Sequence, residues 1–393
     1  MLMKVLAVHN YYQQAGGEDR VFVEEADLLE ANGHEVVRYC MHNERVPTMN
    51  AATLARDTLW NVSAHKDLEV VIRRERPRVA HFHNTFPLVS PAGYYAARAA
   101  GVPVVQTLHN YRLLCPNALF YRDGGPCEDC LGKAVTWPGV VHRCYRGSLA
   151  ASAVVTAMLS AHRAARTWTR TVDAYIALTE FARRKFIEGG LPAGKIVVKP
   201  NFVRPDPGPG GGQGGFALFV GRLSPEKGVG TLLKAWRRLG ERLPLKIVGD
   251  GPLAGRVISA ARWPYVEYLG HKPAEEVRAL MKEARLLVFP SEWYETFGRV
   301  AAEAFAAGTP VIAADIGAVA EVVDDGRTGL RFRPGDAGHL AAQVERTLSR
   351  PEEYARMRRE ARAEFEDKYT AERNYGMLMR IYESVSERME VQG

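Results

Sequence analysis

The sequence predicts an α/β protein built from two doubly wound, Rossmann-like domains that face a cleft. Apolar runs of strand length alternate with amphipathic helical stretches in both halves of the chain, which is typical of parallel sheets covered on both faces. Between the two series lies RPDPGPGGGQGG, residues 204–215. Its proline and glycine content excludes a helix or a central strand and predicts a flexible linker.

Length and composition agree with two globular domains. The chain has 393 residues, of which 47% are hydrophobic and 25% charged, so each domain is able to bury a large core. We place the first domain at residues 1–203 and the second at residues 216–372. Such domains bind ligands beyond the carboxyl ends of their strands, and the cleft between two domains is the default ligand site.

The strand candidates follow one another in a regular order. In the first domain VLAVHN is followed by a Gly-Gly turn and the helical stretch DRVFVEEADLLEANG, and later candidates are EVVRYC, RVAHFHN, VPVVQTLHN, AYIALT and KIVVKPN. The second domain begins with FALFVGR and continues with LKIVGD, VEYLG, LLVFPS and PVIAAD. Helices are predicted at 226–240, 274–284 and 297–307.

The net charge of +7 is unevenly distributed. Residues 1–205 hold 25 Lys and Arg against 18 Asp and Glu, whereas residues 206–393 hold 27 of each. The excess indicates either an anionic partner for the first half or a solvated basic surface. The basic residues lack the interleaved aromatic residues of single-strand binders and form no recognisable nucleic-acid module, so no nucleic-acid partner is expected.

The N-terminal sequence predicts a cytoplasmic protein. MLMKVLAVHN lacks the basic start of a signal peptide, and no small-residue cleavage site follows it. No uncharged apolar run of about 18 residues occurs, so no membrane-spanning helix is expected.

Two cations follow the first strand of the second domain. In FVGRLSPEKGVGTLL the strand ends at Gly221, and Arg222 and Lys227 flank a helix predicted to begin near Pro225. A helix N-terminus with two cations beside it suits an anion such as a diphosphate; the alternative is a pair of ordinary surface charges. In IVGDGP, Gly249 and Gly251 permit tight turns and close backbone approach.

Two glutamates, eight positions apart, lie in SEWYETFGRVAAEAFAAGTPV, residues 291–311. Glu295 falls in the turn, with Thr296 as candidate N-cap of the helix 297–307, and Glu303 is two turns into that helix. If the helix extended back to Glu295, the two side chains would differ by about 80° around its axis. This arrangement favours gripping two parts of an elongated ligand over an acid and base acting on one bond.

GRLSPEKG, GDGP and FPSEWYETFGRVAAEAFAAGTPVIAADIGAVAEVVDDGRTGLRF resemble the nucleotide-sugar domain of the GT-B glycosyltransferases, specifically retaining family 4. The pair Glu295–Glu303 matches the E-x7-E motif of that family. One departure is Ala318, where the family commonly has glycine. The resemblance covers essentially the whole chain and implies a nucleotide-diphosphate-sugar donor, with Arg222 and Lys227 on the diphosphate, Glu295 on sugar hydroxyls and Glu303 on the ribose.

The resemblance extends to the first domain. HNYYQQAGGEDRVFVEE matches the Gly-rich first loop of the family, and VVQTLHNY places a histidine where the family has one against the transferred sugar. The last helix of the family crosses back onto the first domain, which implies that role for residues 373–393. The implied catalytic residues are Glu295, Arg222, Lys227 and His109, and the implied donor-binding residues are Gly16, Gly17, Gly221, Gly249, Gly251, Phe297, Gly298 and Glu303.

The implied reaction is sugar transfer with retention of configuration to a saccharide or lipid-linked acceptor. No D-x-D metal pair stands in the usual setting, which implies metal-independent chemistry without a catalytic metal. Two other classes remain open on the same fold. One is a phosphorolytic or hydrolytic enzyme, and the other is a non-catalytic nucleotide-sugar sensor.

A cysteine-rich insertion, residues 112–147, interrupts the first domain. Its four cysteines have the spacing C-x11-C-x2-C-x13-C, which matches a tetrahedral zinc site. Another metal or an iron–sulfur cluster, and reduced thiols or disulfides, are the alternatives; disulfides are disfavoured in a cytoplasmic protein. We predict a structural zinc ion bound by Cys115, Cys127, Cys130 and Cys144.

An alanine-rich helical stretch, SLAASAVVTAMLSAHRAARTWTR, follows the insertion. An ordinary packed helix is the favoured interpretation. The alternative is a helix lying on an anionic membrane to bring in a lipid-linked acceptor. The sequence therefore leaves open a protein that is peripheral to the inner face of the membrane.

Overall fold

The computed structural model describes residues 2–14 and 16–392. The chain forms two compact units. The first comprises Met1–Phe120, Glu128–Lys199 and Asn374–Gly393, and the second comprises Tyr121–Cys127 and Pro200–Arg373.

Strands and helices alternate along most of the chain. The strands are β1 (Lys4–Tyr11), β2 (Glu35–His42), β3 (Val79–Phe82), β4 (Val104–Thr107), β5 (Tyr121–Arg122), β6 (Gly125–Pro126), β7 (Ala174–Ala177), β8 (Ile196–Val198), β9 (Ala217–Val220), β10 (Leu245–Val248), β11 (Val266–Gly270), β12 (Leu286–Phe289), β13 (Val311–Ala314) and β14 (Gly329–Phe332). The helices are α1 (Gly17–Ala31), α2 (Ala51–Leu59), α3 (Val62–Glu75), α4 (Ala92–Ala99), α5 (Trp137–Val141), α6 (Leu149–Ala164), α7 (Thr167–Arg170), α8 (Glu180–Glu188), α9 (Val229–Leu239), α10 (Ala254–Ala260), α11 (Ala274–Glu283), α12 (Arg299–Ala306), α13 (Gly317–Val322), α14 (Ala337–Ser349), α15 (Pro351–Lys368) and α16 (Ala371–Gln392).

Each unit is organised around a six-stranded sheet whose paired strands are parallel. The order is β2-β1-β3-β4-β7-β8 in the first unit and β11-β10-β9-β12-β13-β14 in the second. The predicted fold class is confirmed. The short antiparallel pair β5–β6 lies in the cysteine-rich insertion.

The local structure follows from the apolar pattern. Residues 5–8 of β1 are all buried, as expected of a parallel strand covered on both faces. In α9 the buried side chains recur at three- to four-residue spacing; they include Val229, Leu232, Trp236 and Leu239. These side chains join strand residues such as Phe219 and Ile247 in the core of the second unit.

The last helix packs on the first unit from Asn374 onward. Leu378, Tyr382 and Val385 are buried in one cluster with strand residues that include Val5 and Ile176. The chain therefore returns to the first sheet after completing the second unit, and α16 is part of the first unit's core.

The glycine-rich segment 204–215 is hydrogen-bonded to the second unit. The backbone N–H of Gly210 donates to the carbonyl of Ala307 at 2.9 Å, and that of Gly212 donates to Lys282 at 3.0 Å. A Cβ at Gly210 would lie 2.1 Å from the Lys282 carbonyl oxygen. We predicted a flexible linker; here the small residues instead permit close backbone packing, which composition does not distinguish from flexibility.

The second sheet changes direction between β9 and β12. The chain passes from β9 outward to β10 and β11, then returns to add β12, β13 and β14 on the other side of β9. Ligands of doubly wound folds bind at the carboxyl ends of the strands at such a switch point. The residues that follow β9 and β12 are therefore the candidate site of this unit.

Candidate functional site

Arg222 and Lys227 follow β9 at this switch point. Arg222 is exposed, and Lys227 ends a 3₁₀ turn, Pro225–Lys227. The α-helix begins later than predicted, at Val229, because Gly228 adopts a left-handed conformation with φ of 69°. A Cβ at Gly228 would lie 1.8 Å from the Pro290 carbonyl oxygen, so the turn requires glycine.

Glu295 follows β12 and is bound to Lys227. The Lys227 Nζ lies 2.6 Å from Glu295 Oε1. Ser291 Oγ and Trp293 Nε1 donate to the same oxygen at 2.9 and 3.0 Å, and the Glu295 side chain is 10% exposed. Because the neighbouring strands β9 and β12 supply the two partners, the structure brings together an anion and a cation that are 68 positions apart.

Glu303 is on α12 and pairs with Arg299. Arg299 Nε donates to Glu303 Oε1 at 3.0 Å, and the two side chains are 11% and 12% exposed. The predicted N-cap at Thr296 is wrong, because α12 is capped by Gly298 at φ of 101°. Glu295 therefore lies in the preceding loop, and the angle expected between the two glutamates does not apply.

The remaining predicted glycines of the second unit support the ends of the strands. Gly249 has φ of 140°, and a Cβ there would lie 1.9 Å from the Gly221 carbonyl oxygen. Gly251 has φ of 153° and approaches the Leu223 carbonyl oxygen closely, with a Cβ distance of 2.6 Å. These positions need glycine for backbone packing, and a contact with the donor stays a prediction.

Gly298 and Phe297 hold the start of α12. A Cβ at Gly298 would lie 2.8 Å from Phe289, and Phe297 is buried with its ring 5.6 Å from that of Tyr369. Phe297 is therefore a packing residue in this structure, and its predicted contact with the donor stays a prediction.

The Gly-rich loop of the first unit leads into α1. The Gly16 N–H donates to Asp19 Oδ2 at 2.7 Å. Gly16 has an extended backbone, and a Cβ at Gly17 would meet no atom within 4 Å. Local packing therefore does not require glycine at either position. The contact of Gly16 and Gly17 with the donor stays a prediction.

His109 lies just beyond β4 and contacts another histidine. His109 Nε2 is 3.0 Å from His83 Nδ1, and the two rings stack with centroids 5.2 Å apart. Burial and the neighbouring His83 hold the pKa of His109 well below its usual range, so this imidazole is neutral.

Glu18 is a candidate that sequence analysis missed. Its Oε2 accepts from Asn110 at 3.0 Å, and Oε1 is a buried oxygen without a hydrogen-bond partner among the described residues. Burial raises the pKa of Glu18 to about 7, although hydrogen bonds from Tyr12 and Asn110 act in the opposite direction. The GGED sequence shows the acid, but its burial becomes evident only in the fold, where the residues after β1 and those after β4 meet at one edge of the first sheet.

Replacing Glu18 by glutamine is expected to make the stability of the first unit less pH-dependent. The folded pKa of Glu18 is above its unfolded value, so its favourable contribution is present below about pH 4.5 and is lost as the pH rises through about 7. The Glu18→Gln variant should gain on the order of 2 kcal/mol relative to the parent at pH 8. Urea unfolding at pH 5 and 8 measures this, with exposed Glu44 replaced by glutamine as control. An equal gain at both pH values would contradict the assignment.

Comparison with known proteins accounts for both units. Residues 15–207 match the family described as Glycosyltransferase Family 4, and residues 211–364 match Glycosyl transferases group 1. The chain belongs to the family 4, group 1 glycosyltransferases. Members of this family are retaining.

Individual relatives cover different parts of this glycosyltransferase. A glycogen synthase of Mycobacterium tuberculosis is 41% identical over 37% of the chain and 36% of its own length. A GDP-mannose-dependent alpha-mannosyltransferase of Mycolicibacterium smegmatis is 31% identical over 66% of the chain and 62% of its own length. The chain thus spans about a third of the first of these relatives and less than two thirds of the second.

A solved structure confirms the fold. The Anabaena HepE structure in complex with UDP superposes with a TM-score of 0.68 at 18% identity, over 99% of this chain and 100% of that one. At this identity the likeness concerns the fold alone, and the fold is GT-B.

The structure does not support the predicted zinc site of this glycosyltransferase. In the described part of the chain, the group of three or more ligand side chains with donor atoms within 4.8 Å of one another contains no cysteine. A tetrahedral site needs its sulfur atoms within about 4 Å of one another. The sequence gives the number and spacing of the cysteines but not the distances between their sulfur atoms. The residues concerned are Cys115, Cys127, Cys130 and Cys144.

Two of these thiols have local hydrogen bonds instead. Cys115 is buried and donates to Asn117 Oδ1 at 3.0 Å, and Cys130 is buried with its sulfur 3.9 Å from the Thr136 carbonyl oxygen. The donor set as it lies does not fit a zinc ion, so no role in the reaction is derived for one.

The helix α6 packs against the first unit through one face, in agreement with the favoured interpretation. Val155, Met158 and Leu159 are buried. Within the described residues, no helix combines the length and the apolar character that crossing a membrane requires.

Proposed function

We propose that this protein transfers a hexosyl group, with retention of configuration, from a nucleoside-diphosphate sugar to a saccharide or lipid-linked acceptor. The observation that carries the proposal is the Lys227–Glu295 pair at the switch point of the second sheet, where Arg222 also follows β9. The loss of these charged residues would have indicated a non-catalytic nucleotide-sugar sensor, and their presence favours an enzyme.

Each charged group has a distinct part in the proposed reaction. Arg222 and Lys227 stabilise the diphosphate as the glycosidic bond to it breaks, since fixed cations lower the cost of charge that develops there. Glu295 accepts hydrogen bonds from sugar hydroxyls. Glu303 accepts them from the ribose.

The proton balance requires no side-chain base. The acceptor hydroxyl attacks on the face from which the diphosphate leaves, and its proton passes to a diphosphate oxygen. The protein's own cations supply the positive charge, so we propose metal-independent chemistry. His109, held neutral, contacts the transferred sugar without exchanging a proton.

The donor is sought among the common nucleotide sugars. Relatives and structural neighbours are described with GDP-mannose and with UDP, so both bases are candidates. A thermal-shift panel of UDP-, GDP- and ADP-sugars is expected to yield one donor that raises Tm, because a ligand bound to the native state stabilises it. The matching donor is then incubated with candidate acceptors, and the anomeric configuration of the product is read by NMR. Inversion, or hydrolysis alone with every acceptor, would overturn the proposal.

The surface of the cysteine-rich insertion supports a lipid-linked acceptor. No Asp or Glu occurs between Asp129 and Asp173, and large apolar side chains of this stretch are exposed: Val135, Trp137, Val141 and Leu149. We propose that it contacts an anionic membrane from the cytoplasmic side. Co-sedimentation with phosphatidylglycerol vesicles should fall severalfold for Trp137→Ala and stay unchanged for Ile258→Ala, whose exposure is similar. Equal loss in both variants would argue against it.

A further inference from the structure

A row of buried polar side chains extends from His109 into the interior of the first unit. His83 Nδ1 is 3.0 Å from His109 Nε2, and His83 Nε2 is 3.3 Å from Glu25 Oε1. Lys199 Nζ is 2.8 Å from the other oxygen of Glu25. The four residues come from α1, from β8's end and from the loops after β3 and β4, so only the folded unit assembles the row.

The inner end of the row is a buried ion pair. Glu25 is 2% exposed and Lys199 is 1% exposed. Burial opposes ionisation of Glu25, but Lys199 and His81 outweigh it and hold the pKa of Glu25 well below its usual range. Burying such a pair costs much desolvation energy. The folded unit nevertheless holds both ions next to the imidazoles.

The last helix completes the surroundings of the ion pair. Asn374 Oδ1 accepts from Lys199 Nζ at 3.1 Å. Tyr382 Oη lies 2.8 Å from His81 Nδ1, which is itself 3.1 Å from Glu25 Oε1. The helix α16 thus supplies polar partners to the row as well as apolar packing to the sheet.

The ligand atoms of Glu25, His81 and His83 lie close enough to hold a metal ion. The surroundings favour hydrogen bonds instead. The Lys199 ammonium, 2.8 Å from the carboxylate, repels a second cation, and His81 Nε2 is already 2.8 Å from Thr107 Oγ1. We therefore interpret the group as a buried polar cluster around the Glu25–Lys199 ion pair.

The hydrogen-bond chemistry assigns the protons along the row. Glu25 Oε1 lies 3.3 Å from His83 Nε2, although the geometry of this contact is not that of a hydrogen bond. A lone pair on Nε2 would be repelled by the ionised carboxylate, which can only accept, so Nε2 carries the hydrogen. His83 Nδ1 then has a lone pair, because a neutral imidazole has one donor and one acceptor nitrogen. His109 Nε2 must be the donor to it, and His109 Nδ1 is the unprotonated nitrogen.

We propose that Glu25, His83 and Lys199 are positioning residues that hold His109 as the neutral Nε2–H tautomer, so that its Nδ1 acts as a hydrogen-bond acceptor toward a hydroxyl of the transferred sugar. The hydrogen bond between a sugar hydroxyl and His109 Nδ1 rests on the proposed function, whereas the tautomer of His109 does not. An outer partner that fixes the tautomer and ring orientation of a histidine commonly changes activity about 10- to 100-fold. Burial also lowers the pKa of His83 to about 3, in agreement with a neutral imidazole between His109 and the ion pair.

The tautomer is measured directly by NMR on protein labelled with ¹⁵N-histidine. His109 signals are assigned with His109→Gln, and the expected pattern is a protonated Nε2 and an unprotonated Nδ1, unchanged from pH 5.5 to 8.5. His162, which is buried and bonded to Thr167 and Leu59, serves as internal control. A protonated Nδ1, or an imidazolium that forms within this range, would overturn the proposal. So would stoichiometric bound metal that shifts His81 and His83.

The paired variant Glu25→Gln/Lys199→Met tests the positioning role, because it removes both buried charges together. His109 should then sample both tautomers, and kcat should fall about 10- to 100-fold with little change in donor KM. Unchanged kcat with an altered tautomer would overturn the positioning role and leave the proposed function intact. If no nucleotide sugar is a donor, the proposed function fails, but NMR on the wild-type protein still tests the tautomer independently. The wild-type measurement also decides the tautomer if the paired variant does not fold.

Discussion

Replacing Lys227 by alanine is expected to lower kcat for sugar transfer about 100-fold or more, because the variant loses the cation that we propose to face the leaving diphosphate. The Lys227 ammonium lies 2.6 Å from Glu295, so the substitution also removes an ion pair. Ser291 and Trp293 still donate to the Glu295 carboxylate, and the loss of stability should therefore be small beside the loss of activity. Initial rates with the identified donor and Tm measure the two effects.

Lys234→Ala is the matched control for Lys227→Ala. Lys234 is exposed on α9, and its removal changes the net charge equally without touching the ion pair. Arg222→Ala, at an exposed position, should lower kcat to a similar extent at unchanged Tm. Rates close to wild type in both Arg222→Ala and Lys227→Ala would remove the diphosphate assignment.

The sequence predicted the charged residues of the second unit but not their partners. Arg222 and Glu295 each follow an apolar run, and the rule that ligands bind at strand ends places both at one edge of a sheet. The contact that Glu295 makes with Lys227 depends on β9 and β12 being neighbours. Strand order arises from packing between distant segments, which the alternation of apolar runs does not encode.

Helix starts were predicted two or more residues early for a common physical reason. Gly228 and Gly298 adopt left-handed conformations that delay α9 and α12. In each case the glycine is forced by a close neighbour, Pro290 or Phe289. The sequence shows the glycine, but only the folded unit shows the neighbour that requires it.

The first unit holds the features that sequence analysis missed. Glu25 and Lys199 are 174 positions apart, and each resembles an ordinary helix or strand-end charge. One local signal was present: His81 and His83, two positions apart at the end of a strand, point to the same face. The cysteine spacing led to the opposite error, a predicted zinc site that the structure does not support. Four cysteines in one segment of the sequence do not ensure that their sulfur atoms surround one metal ion.

Glu295→Gln and Glu303→Gln are expected to separate the two ends of the donor. Glu303→Gln should weaken binding of free nucleoside diphosphate about 10- to 100-fold, since a hydrogen bond to a charged group contributes about 1.5–3 kcal/mol. The carboxylate of Glu303 pairs with Arg299 at 3.0 Å, so Tm is measured as well to detect any loss of stability in the variant. Isothermal titration calorimetry gives the Kd of each variant.

Glu295→Gln should leave the Kd of free nucleoside diphosphate within about twofold or tighten it, because the substitution leaves Lys227 without its buried counter-charge and free to pair with phosphate. Donor transfer should fall sharply in the same variant, since the sugar loses a charged hydrogen-bond acceptor. Glu267→Gln is the control, because it removes an exposed carboxylate on β11. A glycosidase would lose hydrolysis in both site variants without any change in nucleotide affinity. Equal Kd values for Glu295→Gln and Glu303→Gln would therefore contradict the assignment of sugar to one glutamate and ribose to the other.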